Sequence, residues 1–502
     1  MPPQLSLTER LSYGLGNFGV NLIFGMTGAF LMYFYTDVYR IDAGTVATLF
    51  LVARTVDALF DPLLGLLIDR TRSRHGKHRP YLIWLSLPFA LCGIAVFATP
   101  ELDGTLKLIY VYLSYTLLGM LYSGLSLPLN SMLPTLTRDP GERSATNALR
   151  EFLGTGATVG VGYVTLPLVE RFGDGSPAHG FMMVAALFGA ISVALLALAF
   201  HNTRERVEPL RSPHVLTTAQ SLSATRGNLP WISTMLVNFC FWIGFIAHVQ
   251  SYIYFADNVL VRHDAVPKLM LTMLAMLIGT ALSAPLANRI GKRLTGIFGS
   301  TIAALATAAL GLSDDFGWQL ALNAVSYTGL GLIGGLLFAL MADAVDYGEW
   351  RNGFRAQGFL FAASSFGVKL GLSIGGAIGA WLLAHSGYVA GATPNAAVVA
   401  GITWGHVWVP SLSYAAMGAS LALFIVEPEF ARLTRSSGAV APNAAEYTLI
   451  HPLPRAVLER PCNMTTSSSV PAQPAASWPS ACRATAAARS CCWRPVRTTV
   501  HR

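Results

Sequence analysis

Residues 181–200 read FMMVAALFGAISVALLALAF, twenty consecutive positions without a charged side chain. At about 1.5 Å per helical residue, such a run crosses roughly 30 Å, the thickness of the hydrocarbon core of a bilayer. Working outward on both sides, comparable apolar windows recur near 13–38, 43–69, 81–99, 106–134, 145–169 and 178–200, and again near 231–256, 266–287, 295–313, 317–342, 356–385 and 403–427. Only 12% of the 502 residues are charged and the mean hydropathy is +0.50. A soluble domain carries about twice that charged share, so an ordinary soluble globule is excluded. The windows predict an all-α membrane protein with 12 transmembrane helices.

The windows fall into six plus six. Residues 1–200 are expected to form an N-terminal six-helix bundle and 231–427 a C-terminal one. Between them, 201–230 holds Arg204, Arg206, Arg211 and Arg226 and is too charged to enter hydrocarbon, which makes it a cytoplasmic linker. The stretch 428–502, rich in Ala, Ser, Pro, Thr and Arg without helical periodicity, reads as a disordered cytoplasmic tail or a frame-shifted end. Met1 to Arg10 is polar and leads directly into a long apolar run, so no cleavable signal is expected. One set of connecting loops carries about sixteen Lys and Arg residues and the other about five, which by the positive-inside bias places both termini in the cytoplasm.

A weak internal repeat points the same way. The loop from Asp69 to Arg79 and the loop from Asn288 to Arg293 both contain Gly-Lys in a basic turn, and Arg138 to Arg143 is mirrored by Asp346 to Arg351. Two parallel six-helix repeats are the plan of the major facilitator fold, with a substrate site between the halves near mid-depth.

Other function classes fail on context. The net charge of +8 lies in short loops, where it serves topology, so nucleic acid is not an expected partner. Cys92 and Cys240 are isolated in apolar runs, and Cys462, Cys482, Cys491 and Cys492 lie in the tail, so neither a disulfide nor a zinc framework is expected. The tail sequence Asn463-Met464-Thr465 matches a glycosylation pattern but falls on the inner side. Gly329-Leu330-Gly331-Leu332-Ile333-Gly334 fits a dinucleotide fingerprint in letters but lies inside an apolar span, where close helix packing explains it. The same explanation is expected for Gly156 and Gly160, and for Gly371, Gly375 and Gly379, on spans expected to face each other across the pathway. No enzyme motif and no cofactor site is present, so no enzymatic chemistry is expected.

Charges inside spans cost about 2.5 to 3.5 kcal/mol each on insertion scales, so each needs a reason. Span 2 carries Arg54, Asp57 and Asp61. The two acids are four residues apart, on one helix face near mid-depth. Two close carboxylates in low dielectric bind a small hard cation, share a proton, or pair with a cation such as Arg54. Span 11 carries Lys369, too deep to snorkel easily, which needs those carboxylates or a polar substrate as its partner. Arg150 and Glu151 open span 5, where the arginine either meets a sugar hydroxyl or pairs with Glu151. Asn17 and Asn21 on span 1, Tyr122, Ser123, Ser126 and Asn130 on span 4, and His248 and Gln250 on span 7 are polar residues that join helices unless they converge.

Taken together, Tyr33 to Val38, Phe50 to Pro62, Arg72 to Pro80 and Ala342 to Trp350 resemble the glycoside-pentoside-hexuronide:cation symporters, the melibiose permease branch of the major facilitator superfamily. The resemblance covers roughly Leu5 to Pro428. It implies a cation site at Asp57, Asp61 and Ser123, with Na+ or H+ as the coupling ion and the two acids as its metal ligands if the ion is Na+. It implies a substrate site at Asn21, Ser126, Asn130, Arg150 and Lys369. Asn21 and Ser126 stand where melibiose permease has aspartates, and Asn130 where it has a tryptophan. The implied protein is a multi-pass bacterial inner-membrane symporter, working as a monomer by alternating access on a sugar, glycoside or hexuronide. An amphiphilic lysolipid substrate and a non-transporting sensor or scaffold are the alternatives. Loss of the two acids leads to one further expectation, a cavity left net positive by Arg150 and Lys369 and suited to a carboxylated sugar.

Overall fold

The computed structural model describes residues 5–71, 73–137, 139–206, 225–262, 264–352 and 356–424. Among these residues the chain is helical throughout, with no strand. α1 is Leu7–Tyr33, extended by a π-turn over Phe34–Val38, and α2 is Ala43–Arg70. α3 is broken at Leu85 into Arg79–Trp84 and Ser86–Val96. α4 is Gly104–Leu136, α5 is Pro140–Phe172 and α6 is Pro177–Asn202. α7 is Leu229–Asn258, α8 joins Ala265–Leu271 to Ala275–Ile290, and α9 is Lys292–Ala309. α10 runs as Phe316–Gly334 and then Leu337–Asn352, and α11 is Gln357–His385. α12 comprises Ala396–Thr403, a π-turn over Trp404–Trp408, and Val409–Ser420. Eleven of these helices are long and apolar enough to cross a membrane. The interrupted α12, which carries His406 and Pro410, is not among the eleven.

Short polar residues begin the helices where their oxygens can take orphan N–H groups. Ser6 forms a capping box with Glu9 at the start of α1, and Asp42, Asn228, Asp315 and Asn395 cap α2, α7, α10 and α12. Within the described residues, four boundaries differ from the apolar windows by five residues or more. α1 begins at Leu7, six residues ahead of its window, where the Ser6–Glu9 capping box starts it. α5 begins at Pro140 and α10 continues to Asn352, because polar residues such as Glu142 and Glu349 end a hydropathy window without ending a helix. α12 begins at Ala396, where Asn395 supplies the cap.

α1 packs on α5 and α6, α3 on α6, and α2 on α4; α7 packs on α11 and α12, and α10 on α8 and α9. The two sets meet through α2 with α11, α5 with α8 and α1 with α7. A backbone feature repeats at the ends of α1 and α7. Tyr39 N–H donates to the Phe34 carbonyl and Ile41 N–H to that of Tyr35, with Arg40 at φ 55; Leu260 N–H donates to Phe255 and Arg262 N–H to Ala256, with Val261 at φ 52. A β-branched residue at positive φ is a steric outlier, so the recurrence marks one turn design used twice. Around these turns the sets are tied by Thr36 Oγ1 and Tyr254 OH, 2.7 Å apart, and by Arg40 Nη1 donating to the Ala390 carbonyl at 2.9 Å. This is the face away from the N-terminus.

On the N-terminal face, carboxylates organise the loops. Glu205 accepts the backbone N–H groups of Lys77, His78 and Arg79 at 3.1, 2.8 and 3.0 Å. Gly76 reaches that position at φ 101, and a Cβ there would lie 2.5 Å from the Glu205 carboxylate. Glu142 accepts from Leu5 N–H at 3.0 Å, from Arg10 at 2.9 Å and from the Thr137 hydroxyl at 2.7 Å.

The glycines need one correction. Gly329 and Gly331 do let backbones meet, since added Cβ atoms would lie 2.6 Å from the Gly299 carbonyl and 2.1 Å from that of Met276. Gly371 and Gly375 press on the carbonyls of Phe239 and Ile243, so they serve α7 and not α5. A Cβ at Gly156 or Gly160 would meet nothing within 4 Å. The spans expected to face each other therefore do not pack through these glycines, because α11 uses that stripe to seat its own neighbour. The expected tail at 428–502, with its four cysteines and Asn463, lies outside the described residues, as do 207–224 of the linker and Arg72 and Arg138 of the repeated loops.

Candidate functional site

Asp57 and Asp61 lie midway along α2, one turn apart, and α11 brings Lys369 against both. The Lys369 Nζ stands 3.0 Å from Asp57 Oδ2 and 2.5 Å from Asp61 Oδ2. From α4, Ser123 Oγ accepts from Lys369 at 2.8 Å and donates to Asp57 Oδ1 at 2.8 Å. Arg54, one turn before Asp57, lies 3.6 Å from its Oδ2. Asp57 and Ser123 are buried, while Asp61 keeps a fifth of its side chain exposed. Both candidate partners of the acids are thus present at once. Two positive and two negative charges balance, which low dielectric demands.

Aromatic residues hold Arg54. Its guanidinium lies 5.4 Å from the ring centre of Phe24 and 5.5 Å from that of Tyr115, and Phe24 stacks on Tyr122 at 4.1 Å. Two small cavities share the wall of Phe24, Thr27, Arg54 and Tyr115, and one of them reaches Gln250, Leu372 and Gly376 of the other helix set. The Asp61 Oδ1 and Gln250 Oε1 atoms are buried without a hydrogen-bond partner.

The second group lies about 10 Å along α4, seven residues at about 1.5 Å each from Ser123 to Asn130. Arg150 donates to Asn130 Oδ1 and pairs with Glu151, and the Tyr13 side chain lies beside it. Asn17 Nδ2 donates to the Arg150 carbonyl at 3.2 Å, and Asn21 Nδ2 to the Asn17 carbonyl at 2.8 Å. The structure therefore gathers Asn21, Asn130 and Arg150 into one cluster and Asp57, Asp61, Ser123 and Lys369 into another. Ser126 sits between them on α4, half-buried. The expectation of a net positive cavity needs correction: Glu151 neutralises Arg150, and Asp57 and Asp61 neutralise Lys369 and Arg54. Tyr13, Phe24 and Tyr115 were not singled out in the sequence, because each is an aromatic in an apolar run and only the long-range packing aims it at an arginine.

Among the described residues, twelve helices in two mutually packed sets, with a balanced ion cluster where the sets meet, define an integral membrane transporter. Residues 12–427 match the family described as MFS/sugar transport protein, and the chain belongs to that family. It is 38% identical over 439 residues to an isoprimeverose transporter of Lactiplantibacillus pentosus, covering 84% of this chain and 89% of that one. The inner membrane symporter YicJ of Escherichia coli (strain K12) is 33% identical, covering 82% and 90%. A glucuronide carrier protein homolog of the same strain is 30% identical, covering 82% and 90%. Among solved structures, the nucleoside transporter NupG superposes with a TM-score of 0.58 at 12% identity, covering 84% of this chain and all of that one. A bacterial homolog of the human lysosomal transporter Spinster, inward-facing and unoccupied, gives 0.58 at 14% identity, covering 87% and 98%. These two likenesses show the fold alone. Transport, and not enzymatic chemistry, is the activity of this family.

Proposed function

We propose that the chain is a cation-coupled symporter of a neutral glycoside. The observation that carries this reading is the Lys369 ammonium held between Asp57 and Asp61 across the boundary of the two helix sets. Two carboxylates and the Ser123 hydroxyl form an oxygen-only donor set that suits Na+ or a proton. Lys369 stands in that set as a tethered cation. Entry of the coupling ion releases the ammonium, which turns toward the Asn21, Ser126, Asn130 and Arg150 face of α1, α4 and α5, and the substrate's hydroxyls meet it there. The bundles 1–200 and 231–427 then rock about the loaded site. The protein acts as a monomer in the inner membrane, with both termini cytoplasmic.

Charge balance around Arg150 and Lys369 favours an uncharged substrate over a hexuronide, and the similarity to an isoprimeverose transporter supports a pentose-containing disaccharide. Uptake of a labelled glycoside panel into membrane vesicles, with Na+ and pH gradients imposed separately, tests the reading. Accumulation driven by one gradient, and abolished in Asp57→Ala and in Asp61→Ala, is expected. Normal uphill accumulation by either variant refutes the cation site. Displacement of bound glycoside by a glucuronide ahead of every neutral disaccharide refutes the substrate assignment.

A further inference from the structure

The C-terminal helix set contains a polar network remote in sequence from the ion cluster. His248 of α7 is 1% exposed. Its Nδ1 lies 2.7 Å from the carbonyl oxygen of His406 in the π-turn of α12, and its Nε2 lies 2.7 Å from Asn323 Oδ1 on α10. The His406 carbonyl is free to be approached because Pro410, four residues on, has no N–H to give it an α-helical bond. Asn323 presents its oxygen to the ring because its Nδ2 donates to the Gln319 carbonyl at 2.9 Å, and the same oxygen also accepts from Tyr252 OH at 2.9 Å. The Tyr252 hydroxyl in turn lies 2.8 Å from that of Tyr327.

Counting protons decides the charge. A neutral imidazole has one N–H, yet both nitrogens of His248 face acceptors at hydrogen-bond distance. Turning the Asn323 amide over only moves the mismatch, since its oxygen would then lie against the Gln319 carbonyl. One additional proton satisfies every contact. We propose that His248 is a proton-binding site, and that the protonated ring bridges α7, α10 and α12.

Rings enclose the site. The His406 ring stacks on that of His248 at 4.5 Å and 16°, and the Tyr252 ring lies 4.9 Å away at 65° to it. His406 itself is neutral: Ser251 Oγ donates to the His248 carbonyl at 2.7 Å, so His406 Nδ1–H donates to Ser251 at 2.9 Å and Nε2 is left without a proton or a partner. The titratable groups facing the site are Tyr252 from α7, Tyr327 from α10, and His406 and Tyr414 from α12. Among the described residues no carboxylate, lysine or arginine faces the ring from these helices or from α1, α8 and α11. A buried cation without a counter-ion persists only through its hydrogen bonds, so the proton leaves as pH rises and one of the two links from α7, to α10 or to α12, breaks with it. This site does not depend on the reading of Asp57 and Asp61.

Nitrogen NMR on the full-length protein in lipid bilayers, with all eleven histidines 15N-labelled, tests the proposal. The His248 ring is identified by the signals lost in His248→Gln. Both of its nitrogens are expected to carry protons at pH 6, with one lost on raising the pH. A single neutral tautomer for that ring from pH 5 to 8 overturns the proposal. Asn323→Asp places a carboxylate on the same contact and is expected to hold the second proton to a pH at least about one unit higher, a tenfold gain in proton affinity. An unchanged or lower midpoint in a folded Asn323→Asp protein also overturns it.

Discussion

Tyr388, just beyond α11, donates its hydroxyl to Asp37 Oδ1 at the end of α1 over 2.6 Å. The bond joins the two helix sets on the face away from the N-terminus, where Thr36, Tyr254 and Arg40 make the other crossings. A hydrogen bond to a charged acceptor is worth about 1.5 to 3 kcal/mol. Tyr388→Phe is therefore expected to shift the population toward a state parted on this face by on the order of tenfold or more. Pulsed electron resonance distances between labels at Glu101 and Val389 measure it, and an unchanged distribution counts against the latch.

Lys369→Gln leaves two acids with Arg54 as their remaining cation, at 3.6 Å from Asp57. Breaking a buried ion pair from one side costs about 3 to 5 kcal/mol. The variant is expected to melt well below the parent, and to recover part of that loss when Na+ or protons are supplied. Thermal denaturation across NaCl, KCl and pH series is the check. If none of these restores stability, the carboxylates do not form a cation site.

The glycines separate packing from open space. Gly331→Ala drives a methyl group to 2.1 Å from a Met276 carbonyl that belongs to backbone and cannot swing away. Overpacking of this kind costs about 1 to 3 kcal/mol or more. Gly156→Ala meets nothing, and is expected to be neutral or to stabilise its helix by up to about 1 kcal/mol. In detergent, the melting temperature of Gly331→Ala should fall below the parent's and that of Gly156→Ala should equal or exceed it.

Acid acts on the loop clamp. The Thr137 hydroxyl, ahead of the Leu5 N–H and Arg10, holds the Glu142 carboxyl below its ordinary range. A folded-state value below the unfolded one contributes stability that is fully present above the unfolded value and is lost as pH falls through the folded one. Glu142→Gln should therefore lower the melting temperature at pH 7 and have progressively less effect below pH 4. An equal effect at pH 7 and pH 3 would show that charge is not what Glu142 contributes.

Much of this was legible in the sequence, for physical reasons. Hydrocarbon thickness sets a length that an apolar run must meet, so the spans stood out, and the cost of a buried charge singled out Asp57, Asp61 and Lys369. Their convergence followed from the need for neutrality. The pairing of Arg150 with Glu151, one of two readings open in the sequence, is the one the structure shows, and it removes the argument for an anionic substrate. What stayed hidden was geometry that no local pattern encodes. The turn shared by Arg40 and Val261 has no common side chain to betray it, and His248 read as one more polar residue until its two acceptors were seen together.

In the symport cycle proposed above, the carrier also makes the journey back with nothing bound. Here Asp57, Asp61, Arg54 and Lys369 sum to zero, and the ammonium that completes the balance is tethered to the chain and cannot be lost to either side. The membrane voltage, worth about 2.3 kcal/mol per charge per 100 mV, finds no net charge at this site to push on the return. In that cycle, any electrical sensitivity that this cluster contributes therefore belongs to the laden stroke.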